Sequence, residues 1–515
     1  MKKKYVRWTL WTIASPFILF IILCILIYLP PIQNFLVDKA AVYASEATGM
    51  NISVGRISLS FPLNLVVTDV DAASPHNDTL LSVRRLQVNV QLLPLLKKQV
   101  EVDGISLQGA TVNSNDLIHG MKLNGTLGEL FISSHGVALD PETAIINKVL
   151  LKDTDLSLCL NDTAAADTVA SDTTYWKIIL QDIDLQNVSF ALDMPLDSLS
   201  LAASLDNAIL RDGLIDLHKS AYSLQTFRIE NGRVRYDSGK PLAADSLSSG
   251  LDPSHIALTD IGVKLDSLYY EGRNMKAIIS QFVLKERSGV EIVSATGRMV
   301  SNDKVLRVPS LKLETRDSYL ELNAAMDWNA LDFKDEGLVS ARLMADIGKP
   351  DVVRFMGSMD EKFIRQYPSE PLRIRTGIDG DLNKLKLTTL TAELPGALGL
   401  FARGELTHLT DNLLRGGDIT LEAETKDLKF VSTLAEGIEI PYGTRLEGKF
   451  TMAGTKMGTD LLLMQPEAQA VVAADTIPIT VYNDSISVAD DFKMERAARL
   501  FAKYDLSRDR YEADL

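Results

Sequence analysis

Apolar and polar residues alternate along most of this 515-residue chain, from about residue 50 to residue 464. The clearest run is Leu320-Glu-Leu-Asn-Ala-Ala-Met-Asp-Trp328, in which every second residue from Leu320 onward is apolar. Successive side chains of a strand point to opposite sides of a sheet, so the alternation predicts one apolar and one polar face. The sequence therefore predicts a mainly β protein, with a long antiparallel sheet and few short helices.

A loose repeat recurs within this pattern, of the form apolar-x-apolar-x-Gly/Asn-x-x-apolar. It occurs at 105–112 (ISLQGATV), 183–190 (IDLQNVSF) and 227–234 (FRIENGRV), with a shorter version at 154–158. Glycine and asparagine accept a positive φ at low cost, so Gly109, Asn187 and Asn231 are expected at tight turns or bulges between strands. The irregular spacing indicates a meander of antiparallel hairpins rather than a solenoid of fixed period.

Several segments interrupt the alternation. We predict loops near residues 161–174 and 239–254, which are rich in small and acidic residues. Helical spacing of apolar residues predicts a helix near 351–367, a short one at 428–437 and a third at 490–504. The pattern weakens beyond residue 464, so residues 465–515 are expected to form an atypical C-terminal segment that contains the third helix.

The N-terminus begins with Met1-Lys-Lys-Lys and continues into an uncharged apolar run from Trp8 to Leu29, in which Phe17 and Phe20 also lie. The run is long enough for one bilayer crossing, and its basic flank predicts a cytoplasmic N-terminus. We predict a signal anchor at 1–30, an amphipathic linker helix at 31–49 and export of the rest. A cleaved secretory signal is the alternative, although the apolar run is longer than usual for one.

Composition narrows the possible partners. The chain has 53 basic and 68 acidic residues, a net charge of −15, which disfavours nucleic acid because phosphate binding needs clustered Lys and Arg. The two cysteines are Cys24, inside the apolar run, and the distant Cys159, so no disulfide is expected.

A search for catalytic chemistry finds nothing specific. None of the six histidines has metal-ligand spacing, and no nucleophile-elbow, P-loop or zinc-protease motif occurs. Asp379-Gly-Asp381 fits a hairpin turn better than a calcium loop, and Asp182 and Asp184 are expected on the solvated face of a strand. The sequence therefore predicts no enzyme, no cofactor and no metal site.

An apolar sheet face of this length must be covered by something. It could be filled by a second sheet, as in a row of β-sandwiches, or it could curl into a groove for acyl chains. The groove hypothesis assigns lipid contact to inward apolar positions, which are Ile105, Leu107, Ile183, Leu185, Leu311, Leu313, Leu320 and Leu322. A third possibility is a scaffold or chaperone whose strand edges pair with nascent outer-membrane strands.

The order of segments resembles the AsmA-like family, and within it the TamB-type proteins of Bacteroidota-type bacteria. The resemblance rests on the anchor and linker helix, on 57–62 (ISLSFP), 85–90 (RLQVNV), 92–98 (LLPLLKK) and 100–107 (VEVDGISL), and on 174–183 (TYWKIILQDI) and 306–315 (LRVPSLKLET). It covers roughly residues 1 to 460. These motifs are patterns of apolar residues and not invariant catalytic groups.

The resemblance implies a periplasmic β-groove over residues 50–464, anchored in the bacterial inner membrane. It also implies a role in moving membrane phospholipid, or in assembling proteins, between the inner and outer membranes, with a TamA-like outer-membrane barrel as partner. Members of this type are longer and end in a β-rich C-terminal domain, so we expect this chain to be a truncated or shortened form.

Overall fold

The computed structural model describes residues 50–60, 64–74, 79–90, 102–114, 120–138, 142–161, 175–239, 250–334, 337–356, 361–433, 442–466, 494–505 and 510–514, together with Lys39, Ala41, Val42 and Ser45. The fold is mainly β, as the alternation predicts. The chain divides into two compact units: unit 1 comprises residues 1–243 and 254–271, and unit 2 comprises residues 244–253 and 272–515.

Unit 1 contains the first eleven strands. Their bounds are β1 Asn51–Ser60, β2 Asn64–Ala73, β3 Thr79–Val90, β4 Val102–Asn113, β5 Met121–Ala138, β6 Thr143–Leu160, β7 Lys177–Met194, β8 Leu199–Asp216, β9 Ala221–Leu224, β10 Thr226–Ser238 and β11 His255–Glu271. A 3-10 turn at Pro195–Asp197 joins β7 to β8. Each strand from β1 to β8 pairs with the next one, β10 lies between β8 and β11, and the short β9 bridges those same two strands.

One pair in unit 1 departs from the predicted antiparallel meander. Strands β6 and β7 run parallel, with Thr143 opposite Lys177 and Cys159 opposite Asp193. A parallel pair needs a connection that returns along the strands, and here residues 161–176 make it. The prediction of antiparallel hairpins throughout is wrong at this point, because nothing in a strand's own alternation records the direction of its neighbour.

Unit 2 contains the remaining strands. Their bounds are β12 Asn274–Glu286, β13 Glu291–Ser301, β14 Val305–Thr315, β15 Tyr319–Asp327, β16 Leu338–Ile347, β17 Leu372–Asp381, β18 Lys384–Leu394, β19 Leu398–Thr407, β20 Gly416–Thr425, β21 Arg445–Ala453, β22 Lys456–Pro466, β23 Met494–Asp505 and β24 Arg510–Asp514. Each strand pairs antiparallel with the next. Within each unit the described strands therefore form one continuous pairing order.

Three short α-helices and a 3-10 turn interrupt unit 2. They are α1 Trp328–Leu331, α2 Lys349–Phe355, α3 Glu361–Gln366 and the 3-10 turn Val431–Thr433. The predicted helical interruption near 351–367 is confirmed, but as two helices, because Gly348 and Pro350 start the first one and residues 357–360 separate them. The short helix predicted at 428–437 is present only as the 3-10 turn in its described part.

The helix predicted at 490–504 is wrong. Residues Met494–Asp505 form strand β23, which pairs with β22 in a register that sets Leu500 opposite Leu461 and Ala502 opposite Thr459. The segment satisfies both periods, since Ala498, Leu500 and Ala502 also alternate with polar or bulky neighbours. Pairing with the hydrogen-bonding edge of β22 overrides the intrinsic helix preference of its Ala, Arg and Leu residues. The C-terminal segment therefore continues the sheet.

Several predictions fall outside the described residues. These include the whole anchor at 1–30, with Trp8, Phe17, Phe20 and Leu29, and most of the two predicted loops. Within the predicted linker helix, the described residues Lys39, Ala41, Val42 and Ser45 are helical. Among the residues that the structure describes, no helix is both long and apolar enough to cross a membrane.

Fully buried side chains are concentrated at the two ends of the strands in unit 2. At one end, the first margin cluster consists of Phe363, Tyr367, Leu394, Ala397, Leu428 and Phe430. At the other end, the second margin cluster consists of Ala330, Val339 and Leu382. Helix α3 contributes Phe363 to the first cluster and helix α1 contributes Ala330 to the second. The short helices therefore cover the margins of the sheet.

Helix α2 is held beside the first margin by a buried carboxylate. Asp351 is 1% exposed, and its Oδ2 accepts hydrogen bonds from the hydroxyls of Ser318 (2.6 Å) and Thr315. Its Oδ1 lies 3.0 Å from the Arg354 guanidinium, which also pairs with Asp317 at 2.9 Å. These contacts join the β14–β15 turn to α2.

Candidate functional site

In unit 1, the residues opposite one another on neighbouring strands form continuous apolar rows. Row 1 comprises Leu59, Leu65, Val88, Ile105, Ile132, Val149, Ile183, Leu210, Phe227 and Leu265. Row 2 comprises Ile57, Val67, Leu86, Leu107, Leu130, Leu151, Leu185, Ala208, Ile229 and Val263. Each row crosses ten strands without a polar residue, a distance of about 43 Å at a strand spacing of about 4.8 Å.

Two further rows continue the same face of unit 1. Row 3 comprises Val54, Val70, Val83, Ala110, Leu127, Thr154, Val188, Leu205, Gly232 and Ile261. Row 4 comprises Ile52, Ala72, Leu81, Val112, Gly125, Leu156, Phe190, Ala203, Val234 and Leu258. The single polar side chain in these rows is Thr154, whose hydroxyl is satisfied by the carbonyl of Lys152 at 3.1 Å.

Unit 2 has an equivalent apolar face. Row 5 comprises Phe282, Ala295, Leu313, Leu320, Ala345, Ile374, Ala392, Leu400, Ala423, Leu446 and Leu463. Row 6 comprises Ile279, Gly297, Leu311, Leu322, Leu343, Thr376, Leu390, Ala402, Leu421, Gly448 and Leu461. Each row crosses the eleven strands β12–β22, about 48 Å. Rows 5 and 6 run between the two margin clusters.

The opposite faces are polar. In unit 1, the row beside row 2 comprises Arg56, Thr68, Arg85, Gln108, Glu129, Lys152, Gln186, Asn207 and Glu230. In unit 2, the row Arg307, Ala325, Ser340, Asp379, Lys386, Glu405, Asp418 and Thr451 contains one apolar residue. In each unit the sheet therefore has one apolar face and one polar face.

Within each unit, the structure places four of the eight predicted groove residues in two adjacent rows. Ile105 and Ile183 lie in row 1, and Leu107 and Leu185 lie in row 2. In unit 2, Leu313 and Leu320 lie in row 5 and face each other directly, as do Leu311 and Leu322 in row 6. Alternation alone identified these positions as apolar, but only the register shows that they are neighbours.

None of these eight side chains is fully buried. Ile105 is 36% exposed, as is Leu81 in row 4, and Phe190 is 37% exposed. The other seven predicted residues are half-buried by their neighbours in the sheet. A second sheet packed on this face would bury such side chains almost completely, so in the described part of the chain the apolar rows have no covering layer.

A line of irregular residues separates rows 2 and 3. Between rows 2 and 3, each strand of β1–β8 and β10 has one residue that is not matched to a residue of the neighbouring strand in the pairing register. We call this set of residues the unpaired row. Its members are Gly55, Asp69, Arg84, Gly109, Gly128, Asp153, Asn187, Asp206 and Asn231. In β11 the irregular residue Asp260 lies one step further along, between rows 3 and 4.

Five members of the unpaired row have a left-handed backbone. The φ angles are +54° for Asp69, +62° for Gly109, +49° for Asp153, +52° for Asn187 and +54° for Asn231. The positive φ expected at the Gly/Asn position of the repeat is thus confirmed at Gly109, Asn187 and Asn231. These residues lie inside single strands and not between hairpin strands, so the repeat marks bulges and not turns.

Side chains of the unpaired row bond to one another across strands. The Asn187 amide donates to the Asp153 carboxylate at 2.9 Å, and the Asn231 amide donates to Asp206. A Cβ atom at Gly128 would lie only 2.8 Å from the Cβ atom of Asp153, so glycine is required there. Sequence reasoning missed most of this row, because its acidic members look like ordinary solvated residues until they are aligned across strands.

The polar face carries the remaining charged candidates. Asp182 and Asp184 lie on this face, as predicted, but both pair with Arg211 of the neighbouring strand, Asp184 at 2.7 Å. Next to the groove candidates of β15, the Tyr319 hydroxyl donates to Glu321 at 2.8 Å, and this hydrogen bond raises the pKa of Tyr319. These are ion pairs and hydrogen bonds of strand neighbours, and they form no converging catalytic set.

Neighbouring carboxylates could also bind a metal ion. Asp379-Gly-Asp381 leads into the β17–β18 turn, where the Asp381 carboxylate accepts the backbone N–H groups of Asn383 and Lys384, both at 2.8 Å. Within the described ranges, no three His, Cys, Asp or Glu side chains are grouped closely enough to hold a metal ion. The apolar rows are therefore the candidate site in the described structure, and their chemistry suits an apolar ligand.

Comparison with protein-family models gives no match, and comparison with curated proteins gives no significant match.

Proposed function

We propose that the apolar face of each unit is a groove that binds the acyl chains of phospholipid. The observation that carries the proposal is the set of rows 1–6, in which Thr154 and Thr376 are the only polar side chains and which no described layer covers. Apolar surface contributes roughly 25 cal/mol per Å² when it leaves water, so an uncovered face of this size favours an apolar ligand. The role is one of binding and not of catalysis.

The biological setting follows from the N-terminal sequence and from the family resemblance. We propose an inner-membrane-anchored protein with its bulk in the periplasm, which binds or conducts phospholipid between the inner and outer membranes. Assistance in outer-membrane protein assembly, with a TamA-like barrel as partner, belongs to the same proposal. The scaffold hypothesis, in which strand edges receive other strands without lipid, remains its rival.

The test is to quantify the lipid that co-purifies with the full-length protein, by extraction and mass spectrometry. The variant Leu320→Asp/Leu322→Asp places two carboxylates in rows 5 and 6. The matched control, Asn323→Asp/Ala325→Asp, places two carboxylates on the polar face of the same strand, β15. Burying an unpaired charge against acyl chains is strongly unfavourable, so the first variant should lose bound lipid and the control should retain it.

Lipid bound to the membrane anchor is common to all variants and cancels in the comparison. Circular dichroism and thermal melting should show that the row variant retains its strands. Equal lipid content in the two variants would contradict the groove proposal. A parent protein that is stable and lipid-free beyond its anchor would favour the scaffold hypothesis, which predicts instead that proline in an edge strand abolishes function.

A further inference from the structure

The unpaired row is expected to affect the curvature of the sheet in unit 1. Where a strand carries an irregular residue, two successive side chains point to the same side. In β7, for example, Leu185 belongs to row 2 and Val188 to row 3, and both intervening residues lie on the polar side. Irregular residues inside a strand bend it and increase its local twist. With two successive residues on the polar side in nine neighbouring strands, the polar side is the longer one, so the bend that we expect follows one line and closes towards the apolar face.

The parallel pair β6–β7 gives an independent reason for a bend. Each strand has 18 residues, so a straight pair would separate Leu160 from Lys177 by about 56 Å at about 3.3 Å per residue. The connection between them has 16 residues, 161–176. A chain of 16 residues spans about 53–58 Å when fully extended and about 20–24 Å as a random coil.

Straight strands would therefore require a connection stretched to its covalent limit. A bend at the middle of the pair shortens the distance that must be spanned. Asp153 and Asn187, which have left-handed φ angles and are hydrogen-bonded to each other, lie near the midpoint of both strands. Register and backbone conformation thus mark the same position, and the chain length requires that the two ends approach each other.

We propose that the unpaired row is a crease, and that its residues set the width of the lipid groove in unit 1. Row 2 lies on one side of the crease and row 3 on the other, so bending brings the two rows towards each other along their whole length. The ligand that fits between them is an unbranched hydrocarbon chain lying across the strands, parallel to the crease. This inference rests on the proposed function, but the crease itself can be measured without lipid.

The experiment is a distance measurement by pulsed electron paramagnetic resonance on the full-length protein. One spin label is placed at the native Cys159 and another at Lys148→Cys, with Cys24 replaced by serine. Both positions lie in β6 on the polar side, one on each side of Asp153. Their 11-residue separation would be about 36 Å in a straight strand, and a crease makes it shorter.

Matched variants then test the crease residues. Asp153→Gly/Asn187→Gly retains a backbone that accepts positive φ, whereas Asp153→Val/Asn187→Val does not. The glycine pair should keep the short distance. The valine pair should lengthen it by several ångströms and, at the same time, reduce co-purified lipid at least two-fold relative to the glycine pair.

The outcomes separate the two proposals. A parent distance equal to that of a straight strand overturns the crease, whether or not lipid is bound. A folded valine pair with an unchanged distance overturns the role of these residues. A short distance in a protein whose row 5 and row 6 carboxylates leave lipid content unchanged overturns the groove function and leaves the crease standing.

Discussion

The side-chain amide of Asn187 donates a hydrogen bond to the carboxylate of Asp153 at 2.9 Å, joining the two parallel strands of unit 1 at their irregular midpoints. Both residues have a left-handed backbone. A residue with a short polar side chain tolerates this conformation, and a β-branched one does not. The residue types at positions 153 and 187 therefore affect the backbone geometry of the sheet.

Asn187→Val is expected to destabilise the protein by about 1–3 kcal/mol, because valine is strained at a positive φ and loses the bond to Asp153. Asn187→Gly loses the same bond but not the backbone conformation, and should cost about 1 kcal/mol. Urea unfolding of both variants, followed by circular dichroism, provides the comparison. Equal losses would show that backbone strain is unimportant at this position.

Phe363→Ala should cost about 3–5 kcal/mol, because Phe363 is 2% exposed and its ring contacts Tyr367 and Phe430 in the first margin cluster. The control is Arg365→Ala on the same helix, whose side chain is 72% exposed. Its effect should be within about 0.5 kcal/mol. Similar urea midpoints for the two variants would mean that α3 does not pack on the sheet margin.

Asp351→Ala should be much more damaging than Asp317→Ala, although both carboxylates pair with Arg354. Removing Asp351 takes the acceptor from the hydroxyls of Thr315 and Ser318 and leaves the Arg354 guanidinium with Asp317 alone, at a cost of about 3 kcal/mol. Asp317 is partly exposed, so its loss should cost about 1 kcal/mol or less. Thermal melting distinguishes the two, and the reverse order would contradict a buried anchor at α2.

The β19–β20 turn should depend on pH through Asp411. The backbone N–H groups of Leu413 and Leu414 donate to this carboxylate at 2.8 and 3.1 Å, and they hold the pKa of Asp411 below its ordinary value of 3.8. A depressed pKa means that the turn is stabilised above the unfolded value and loses that stabilisation as pH falls through the folded value.

An NMR titration of the Asp411 carboxyl should therefore give a midpoint below 3.8, with the Leu413 and Leu414 amide signals shifting at the same pH. The matched variant is Leu413→Pro, which removes one of the two donors and should raise the midpoint towards the ordinary value. A midpoint at or above 3.8 in the parent protein would contradict the observed hydrogen bonds.

The sequence predicted the β class and the apolar positions because period-two alternation is a local property of each strand. It also predicted the positive φ at Gly109, Asn187 and Asn231, where residue type alone limits the backbone. It did not predict the parallel pair or the aligned rows, because register is decided between strands. The helix expected at 490–504 failed for the same reason: β22 offers it a pairing edge that the local sequence does not reveal.

Because most strands pair with their neighbours in the chain, the length of the apolar rows can change when strands are inserted or deleted. Inserting or deleting one hairpin would lengthen or shorten the rows of that unit by about 9.6 Å, while residues away from the change kept their own two partners. Stability in such a chain is close to a sum over adjacent strands, as it is in repeat proteins. The length of the apolar face in each unit can therefore change in small steps through gene duplication and loss, while the residues of the remaining strands stay the same.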